Sequence, residues 1–159
     1  KQGEFDIIVH VANCFCTMGS GIAAQIRRYF PVAYNADRMT VGGDESKLGK
    51  FSCAITSVPD FEADNMKQLT IINAYTQYGC GTDRPHVDYE AIAKVFHRLN
   101  MHFAGTNVRF GVPFIGAGLA GGDWSIIKEI IKENTRQMDL TVVEYQPDTE
   151  FWKNYNIID

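Results

Sequence analysis

The chain has 159 residues, 45% of them hydrophobic and 21% charged, and carries a net charge of −4. That length fits one domain with a substantial core, and the ordinary apolar fraction excludes a disordered or low-complexity chain. Lys and Arg are scattered along the sequence, so no direct sequence-specific nucleic-acid binding is expected, whereas a small anion held by backbone N–H groups is compatible with the charge.

Cys14, Cys16, Cys53 and Cys80 form neither a Cys-x-x-Cys pair nor a spaced zinc set, so reduced thiols and no metal or cofactor are expected. No signal-peptide pattern opens the sequence and no apolar run is long enough to span a bilayer. The expected compartment is therefore the cytoplasm, with no membrane partner. The sequence opens at Lys1 rather than at a Met, which leaves room for a further N-terminal strand ahead of a single domain over 1–159.

In chain order, Phe5 to Ala12 is a short apolar, β-branched run, as expected of a strand covered on both faces. Asn13 to Gly21 reads as a loop. From Gly21 the period changes, with Ile22, Ile26 and Tyr29/Phe30 on one face of a helix that Pro31 interrupts, and Pro31 to Arg38 form a second short helix. Gly42 to Lys47 reads as an exposed, solvated polar loop. Strands are expected at 51–58 and 69–76, joined by an acidic connection and followed by the glycine-rich Tyr78-Gly79-Cys80-Gly81. A long helix carries the stripe Ala91, Ile92, Val95, Phe96, Leu99 and Phe103. Then come a strand at 108–115, a loop at 116–122, a helix at 123–137 with Ile126, Ile127, Ile130 and Ile131 inward, a strand at 140–145, and a helical turn at 149–155. Strands alternating with helices predict an α/β fold: three α/β/α layers, with a mixed, mainly parallel sheet and helices on both faces.

Two glycine-rich loops stand at expected strand ends, where open α/β sheets bind ligands. In Gly116-Ala117-Gly118-Leu119-Ala120-Gly121-Gly122 the missing Cβ atoms let backbone amides approach a phosphate closely. The same loop matches Gly-x-Gly-x-x-Gly with Glu144 downstream, so a Rossmann site is the alternative, although almost nothing follows Glu144 to hold a second nucleotide. A phosphate-loop NTPase is excluded, because Gly43 to Lys50 has the wrong glycine spacing and is followed by Phe51 where a hydroxyl is needed.

Val9-His10-Val11-Ala12-Asn13, Met18-Gly19-Ser20-Gly21-Ile22-Ala23 and Pro113-Phe114-Ile115-Gly116-Ala117-Gly118-Leu119-Ala120-Gly121-Gly122-Asp123-Trp124 together resemble the macro domain family. The pattern is nearest its phage and bacterial branch of ADP-ribose 1″-phosphate phosphatases. The resemblance implies ADP-ribose, or a derivative of it, as the ligand. It places Asn13 on the distal ribose, Met18, Gly19, Ser20, Gly21 and Ile22 around that ribose and the diphosphate, and Gly116, Ala117, Gly118, Leu119 and Ala120 over the diphosphate from the other side. Tyr145 is a candidate to face adenine, or else a core tyrosine.

For chemistry, His10 is either a general acid or base beside the distal ribose or a core histidine. Asp123 is either a catalytic carboxylate or a helix N-cap. Together with Asn13, these two make up the candidate catalytic set. The Lys and Asp of the glycohydrolase relatives are not matched, since the corresponding stretches read Asn73-Ala74-Tyr75-Thr76-Gln77-Tyr78 and Ala120. The expected activity is hydrolysis of ADP-ribose 1″-phosphate to ADP-ribose and phosphate. The alternatives are hydrolysis of ADP-ribosyl or O-acetyl-ADP-ribose linkages, and non-catalytic reading of ADP-ribose.

Overall fold

A computed structural model describes residues 5–60, 62–81, 83–113 and 121–143. The elements in order are β1 (Ile7–Asn13), α1 (Gly21–Tyr29), α2 (Pro31–Arg38), a 3-10 turn (Glu45–Lys47), β2 (Phe51–Asp60), β3 (Asn65–Gln77), α3 (Tyr89–Phe103), β4 (Arg109–Pro113), α4 (Trp124–Asn134) and β5 (Asp139–Val143). They build one five-stranded sheet in the order β2-β3-β1-β4-β5. β1 runs parallel to both β3 and β4, β4 runs parallel to β5, and only β2 is antiparallel to its neighbour β3. The expected mixed, mainly parallel sheet is observed.

The alternation of β1 assigns the two faces. Ile7 and Val9 point to the side where Ile92, Val95, Phe96 and Leu99 of α3 and Ile127 and Ile131 of α4 close the larger core. Ile8 points to the other side, against Ile26 of α1, Phe30 and Ala33 at the start of α2, and Leu69 and Ile71 of β3. Helices therefore cover both faces, in three layers. α1 ends at Tyr29 and α2 begins at Pro31, where the missing N–H is one the first turn of a helix leaves without a partner anyway.

Three expectations need correction. The acidic connection between the second and third strands is mostly strand: β2 and β3 extend to Asp60 and Asn65 and meet in a tight hairpin turn, in which Asp60 Oδ1 accepts from the amides of Glu62 and Ala63. Ile126 is not an inward residue: the buried positions of α4 are Ile127 and Ile131, one turn apart, and Ile126 lies at the margin of that stripe, 45% exposed. The 42–47 loop is not simply solvated, since Lys47 is buried. The strand expected at 140–145 is described through Val143, and the helical turn at 149–155 lies outside the described residues.

Gly111 marks how closely the first residues pack on β4, since a Cβ placed there would meet the Phe5 ring at 2.8 Å. Gly111→Ala should lower the unfolding free energy by about 1–3 kcal/mol through overpacking, read from the urea midpoint. An unchanged midpoint would show that the Phe5 ring does not hold this position.

Candidate ligand crevice at the C-terminal edge of the sheet

After β1 the chain turns to one side, through α1 and α2 to β2 and β3; after β4 it turns to the other, through α4 to β5. Between the C-terminal ends of β1 and β4 the connections diverge, and such a switch point opens a crevice in α/β sheets. The first loop, 14–20, leaves β1 on one side of it. The second returns at Gly121 and leads into α4 on the other.

Asn13 folds the first loop: its Nδ2 donates to Thr17 Oγ1 at 2.7 Å and its Oδ1 accepts from the Phe15 amide at 2.8 Å. Cys16 and Met18 adopt positive φ, 60° and 41°, so the loop is held in a conformation that L residues seldom choose. Met18 is expected from the resemblance to wrap the ligand, but its side chain is buried with Ile8, Ile26 and Phe30, as an apolar chain facing the gap beside α1 should be. Gly19, Ser20 and Gly21 are exposed. Ser20 is the N-cap of α1 and makes no side-chain cap bond. The first helical bond is Ala24 N to Ser20 O, so the amides of Gly21, Ile22 and Ala23 have no carbonyl within the helix to donate to. An N-terminus of this kind, open and at a strand end, favours an anion.

Beneath the loop lies a set of polar side chains that the sequence reading missed. Lys47 Nζ donates to the Cys14 carbonyl at 2.9 Å, contacts Cys16 Sγ at 3.5 Å and lies 4.5 Å from the centre of the Tyr75 ring. Tyr75 OH donates to Asp37 Oδ1 at 2.8 Å, and the Asp37 carbonyl accepts from Thr40 Oγ1 and Cys16 Sγ. Burial pushes the Asp37 carboxyl up, against the opposing pull of the Tyr75 hydroxyl. Burial likewise raises the Tyr75 phenol and the Cys14 thiol. No spacing rule points to Lys47, because a lysine in a polar, glycine-rich stretch reads as solvated. Lys47→Met should remove the charged one of the two donors to the Cys14 carbonyl, which keeps the Gly43 amide at 2.7 Å, at a cost of about 1.5–3 kcal/mol. Faster amide hydrogen exchange over 14–18 should accompany that loss, and unchanged exchange there would show that Lys47 does not anchor the loop.

His10 is fully buried in the middle of β1, on the α1/α2 side. Asn73 Nδ2 donates to the Ala33 carbonyl and to Ser52 Oγ, so Asn73 Oδ1 is the acceptor and His10 Nε2, 2.6 Å away, carries the hydrogen. Burial pushes the imidazole down to about 4, with the Asn73 bond opposing. The expectation of a general acid beside the ribose meets a neutral ring sealed under α2, because side chains alternate along a strand and position 10 falls on a covered face. The unfolded chain binds a proton here below pH 6.5 and the folded chain does not until about pH 4. Stability from this group is therefore complete above 6.5 and lost as pH falls through that window, by up to roughly 3 kcal/mol. His10→Gln, which keeps a donor for Asn73, should flatten the pH dependence of the melting temperature between 4 and 6.5; an unaltered slope would place its origin elsewhere.

Asp123 takes the helix-cap role, its Oδ1 accepting from Ser125 N at 2.9 Å and Ser125 Oγ at 2.6 Å. The Ser125 hydrogen bonds hold its carboxyl below the usual range. Asp88 caps α3 in the same way, through Ala91 N. Trp124 packs against the larger core. The 79–86 segment folds back by a His86–Asp83 contact of 2.9 Å and comes close to the second loop, where a Cβ on Gly121 would meet Pro85 at 3.0 Å. Asp6 sits at the opposite end of the sheet, accepting from Arg109 N. Gly116, Ala117, Gly118, Leu119, Ala120 and Tyr145 lie outside the described residues. Among the described residues no group of His, Cys, Asp and Glu could hold a metal ion, and no helix is long and apolar enough to cross a membrane.

No family model matches the sequence. An uncharacterized 17.5 kDa protein from the tk-vs intergenic region of Enterobacteria phage T4 is 32% identical over 143 residues, covering 88% of this chain and 86% of that protein. The DNA ADP-ribosyl glycohydrolase of Mycobacterium tuberculosis is 24% identical over 149 residues, or 92% of this chain but only 40% of that protein. The macrodomain of Mycobacterium tuberculosis DarG superposes with a TM-score of 0.61 at 25% identity, covering 92% of this chain and 91% of its own. The chain belongs to the macro domain family. Thermosipho africanus DarTG, solved in complex with ADP-ribose, shares the macro domain fold with a TM-score of 0.65 at 17% identity, over 96% of this chain and 43% of that one.

Proposed function

We propose that this macro domain binds ADP-ribose across the crevice between β1 and β4 and hydrolyses a bond at the distal ribose. The observation that carries the reading is the open N-terminus of α1, with the exposed Gly19, Ser20 and Gly21, at the switch point of the sheet. Three amides converging on a diphosphate supply charge-assisted bonds of roughly 1.5–3 kcal/mol each, so no Lys or Arg is needed to hold it. The ADP-ribose bound to DarTG supports this ligand chemistry. In this reading Asn13 contacts the distal ribose, Ile22 flanks it, and Gly116 to Ala120 close from the second loop.

The substrate inferred from the sequence is ADP-ribose 1″-phosphate. Water's oxygen bonds to phosphorus, the bond from phosphorus to the ribose oxygen breaks, and that oxygen takes up a proton. With His10 buried, the proton comes from solvent, and the contribution of the chain is positioning plus backbone donors aimed at developing charge. A second reading, release of ADP-ribose from a conjugate, is favoured by the same burial of His10, which removes the acid the phosphatase scheme relied on. The M. tuberculosis glycohydrolase supports it.

Titration calorimetry should show ADP-ribose bound in preference to NAD and ATP. A Cβ on Gly19 has no neighbour nearer than Thr17 O at 3.9 Å, so Gly19→Val should keep the melting temperature while lowering ADP-ribose affinity at least about tenfold, by crowding the loop mouth. Wild-type affinity in that variant would remove the first loop from the site. A turnover panel of ADP-ribose 1″-phosphate, O-acetyl-ADP-ribose and ADP-ribosylated DNA or protein then separates the hydrolase readings. Saturable binding with no product from any of them would make the chain a reader of ADP-ribose.

A further inference from the structure

Two nucleophilic side chains that the ADP-ribose reading does not use meet under the first loop. Cys16 Sγ lies 3.5 Å from Lys47 Nζ. Cys16 is half-buried on the loop, at a φ of 60°, and its sulfur also lies 3.1 Å from the Asp37 carbonyl and 3.4 Å from Thr40 Oγ1. Lys47 is only 6% exposed, and the Cys14 carbonyl at 2.9 Å and the Tyr75 ring at 4.5 Å keep its nitrogen beside the sulfur rather than in solvent. The other thiols are placed differently. Cys14 is fully buried, and its sulfur is engaged with the Gln77 carbonyl at 3.6 Å rather than with Cys16. Cys53 and Cys80 are exposed and lie elsewhere, on β2 and in the 78–81 segment. A sulfur open on one side, with an amine held against it on the other, is thus peculiar to Cys16.

We infer that Cys16 and Lys47 form an oxidation site, at which peroxide joins thiol and amine in a sulfur–nitrogen cross-link between the first loop and the 3-10 turn. The Cys16 sulfur attacks peroxide, the O–O bond breaks, and a sulfenic acid and water result. Lys47 then gives up a proton to solvent, its nitrogen bonds to the sulfur, and the sulfenic oxygen leaves as a second water. Sulfur has lost two electrons to the peroxide, and the product is lighter than the starting protein by two hydrogen atoms. Proximity decides the fate of the sulfenic acid, because an amine in contact with it competes at a very high effective concentration with further peroxide. A dithiol reverses the step: one of its sulfurs attacks Cys16 Sγ and frees the amine, and the other closes the reductant to a disulfide and releases the Cys16 thiol. The link spans thirty-one positions and ties down the loop that leads to Gly19, Ser20 and Gly21, so this wall of the crevice is stiffer in the oxidised protein. The site stands apart from the ADP-ribose reading and does not depend on it.

The test treats the full chain, carrying Cys53→Ser and Cys80→Ser so that only the inner thiols react, with hydrogen peroxide, and reads the intact mass and the tryptic peptides. The mass should fall by two hydrogen atoms and return with dithiothreitol. Trypsin does not cut after a substituted lysine, so peptide 2–27, which holds Cys16, should be recovered joined to peptide 39–50, with Lys47 uncut. Lys47→Arg, which keeps a cation beside the Cys14 carbonyl, should stop at the sulfenic acid, which dimedone traps. Cys14→Ser should still form the link. Amide hydrogen exchange over 14–18 should slow in the cross-linked protein. Cys16 that resists peroxide, or Cys16 oxides with Lys47 cut normally, would overturn the inference, and the peptide map of the parent chain decides this even where a further variant fails to fold. So would a loss of two hydrogens that survives Lys47→Arg and disappears in Cys14→Ser, which is a disulfide between Cys14 and Cys16. Exchange over 14–18 that stays the same once the link has formed would overturn the stiffening of the loop.

Discussion

The pairing of β1 on both edges, and its cover on both faces, constrains everything else in this molecule. A strand placed between β3 and β4 and between two helical layers can carry only apolar side chains or polar ones with internal partners. His10 satisfies that condition as a neutral ring donating to Asn73, and Asn73 in turn ties β3 to the Ala33 carbonyl of α2 and to Ser52 of β2. The same central position makes the end of β1 the place where connections diverge. The interior condition on the strand and the opening at its end are two results of one arrangement.

The loop leaving β1 is restrained from below as well as along its own backbone. Asn13 closes it on itself, Lys47 ties it to the 3-10 turn, and Cys16 rests on the end of α2. An ammonium group hidden from water is costly unless its donors are met, and here a carbonyl, a sulfur and an aromatic face surround it. In the proposed reading a loop fixed in this way presents its amides without having to be ordered on binding, which lowers the cost of a backbone site that lacks charged side chains.

How much of this was legible in the sequence depends on the range of the interactions involved. Among the described residues, periodicity and short apolar runs located the α-helices and strands, because burial against a sheet imposes its repeats on the chain itself, whereas the 3-10 turn at Glu45–Lys47 was read as a loop. The hairpin joining β2 to β3 was read as a connection, since its acidic and amide residues lack strand propensity and are held there by ladder pairing such as Pro59 with Met66 and Asp60 with Asn65. The glycine loop at the start of α1 was legible, as glycines at a strand-to-helix junction have few other uses. Contacts across the fold were not. Lys47 reaches Cys14 over thirty-three positions, and Arg27 of α1 reaches the Tyr34 ring of α2 only because two short helices meet at Pro31. For the same reason, Arg27 and Arg38 stand over one ring although they are far apart in the sequence.

β2 lies at the rim of the sheet, and among the described residues no strand pairs with its outer side. Its ten residues all pair with β3, and the backbone groups of alternate residues are turned to the outer side, with Ile55 projecting into solvent. Such a row is a template for adding another extended chain. Pro59, which has no amide hydrogen, breaks the row near one end, and Lys50 brings a charge just before the other. The stretch between them, Phe51 to Val58, is where the fold is least defended against self-association, so the margin between a monomer and an aggregate depends on how quickly β2 and β3 zip together while the chain is still folding.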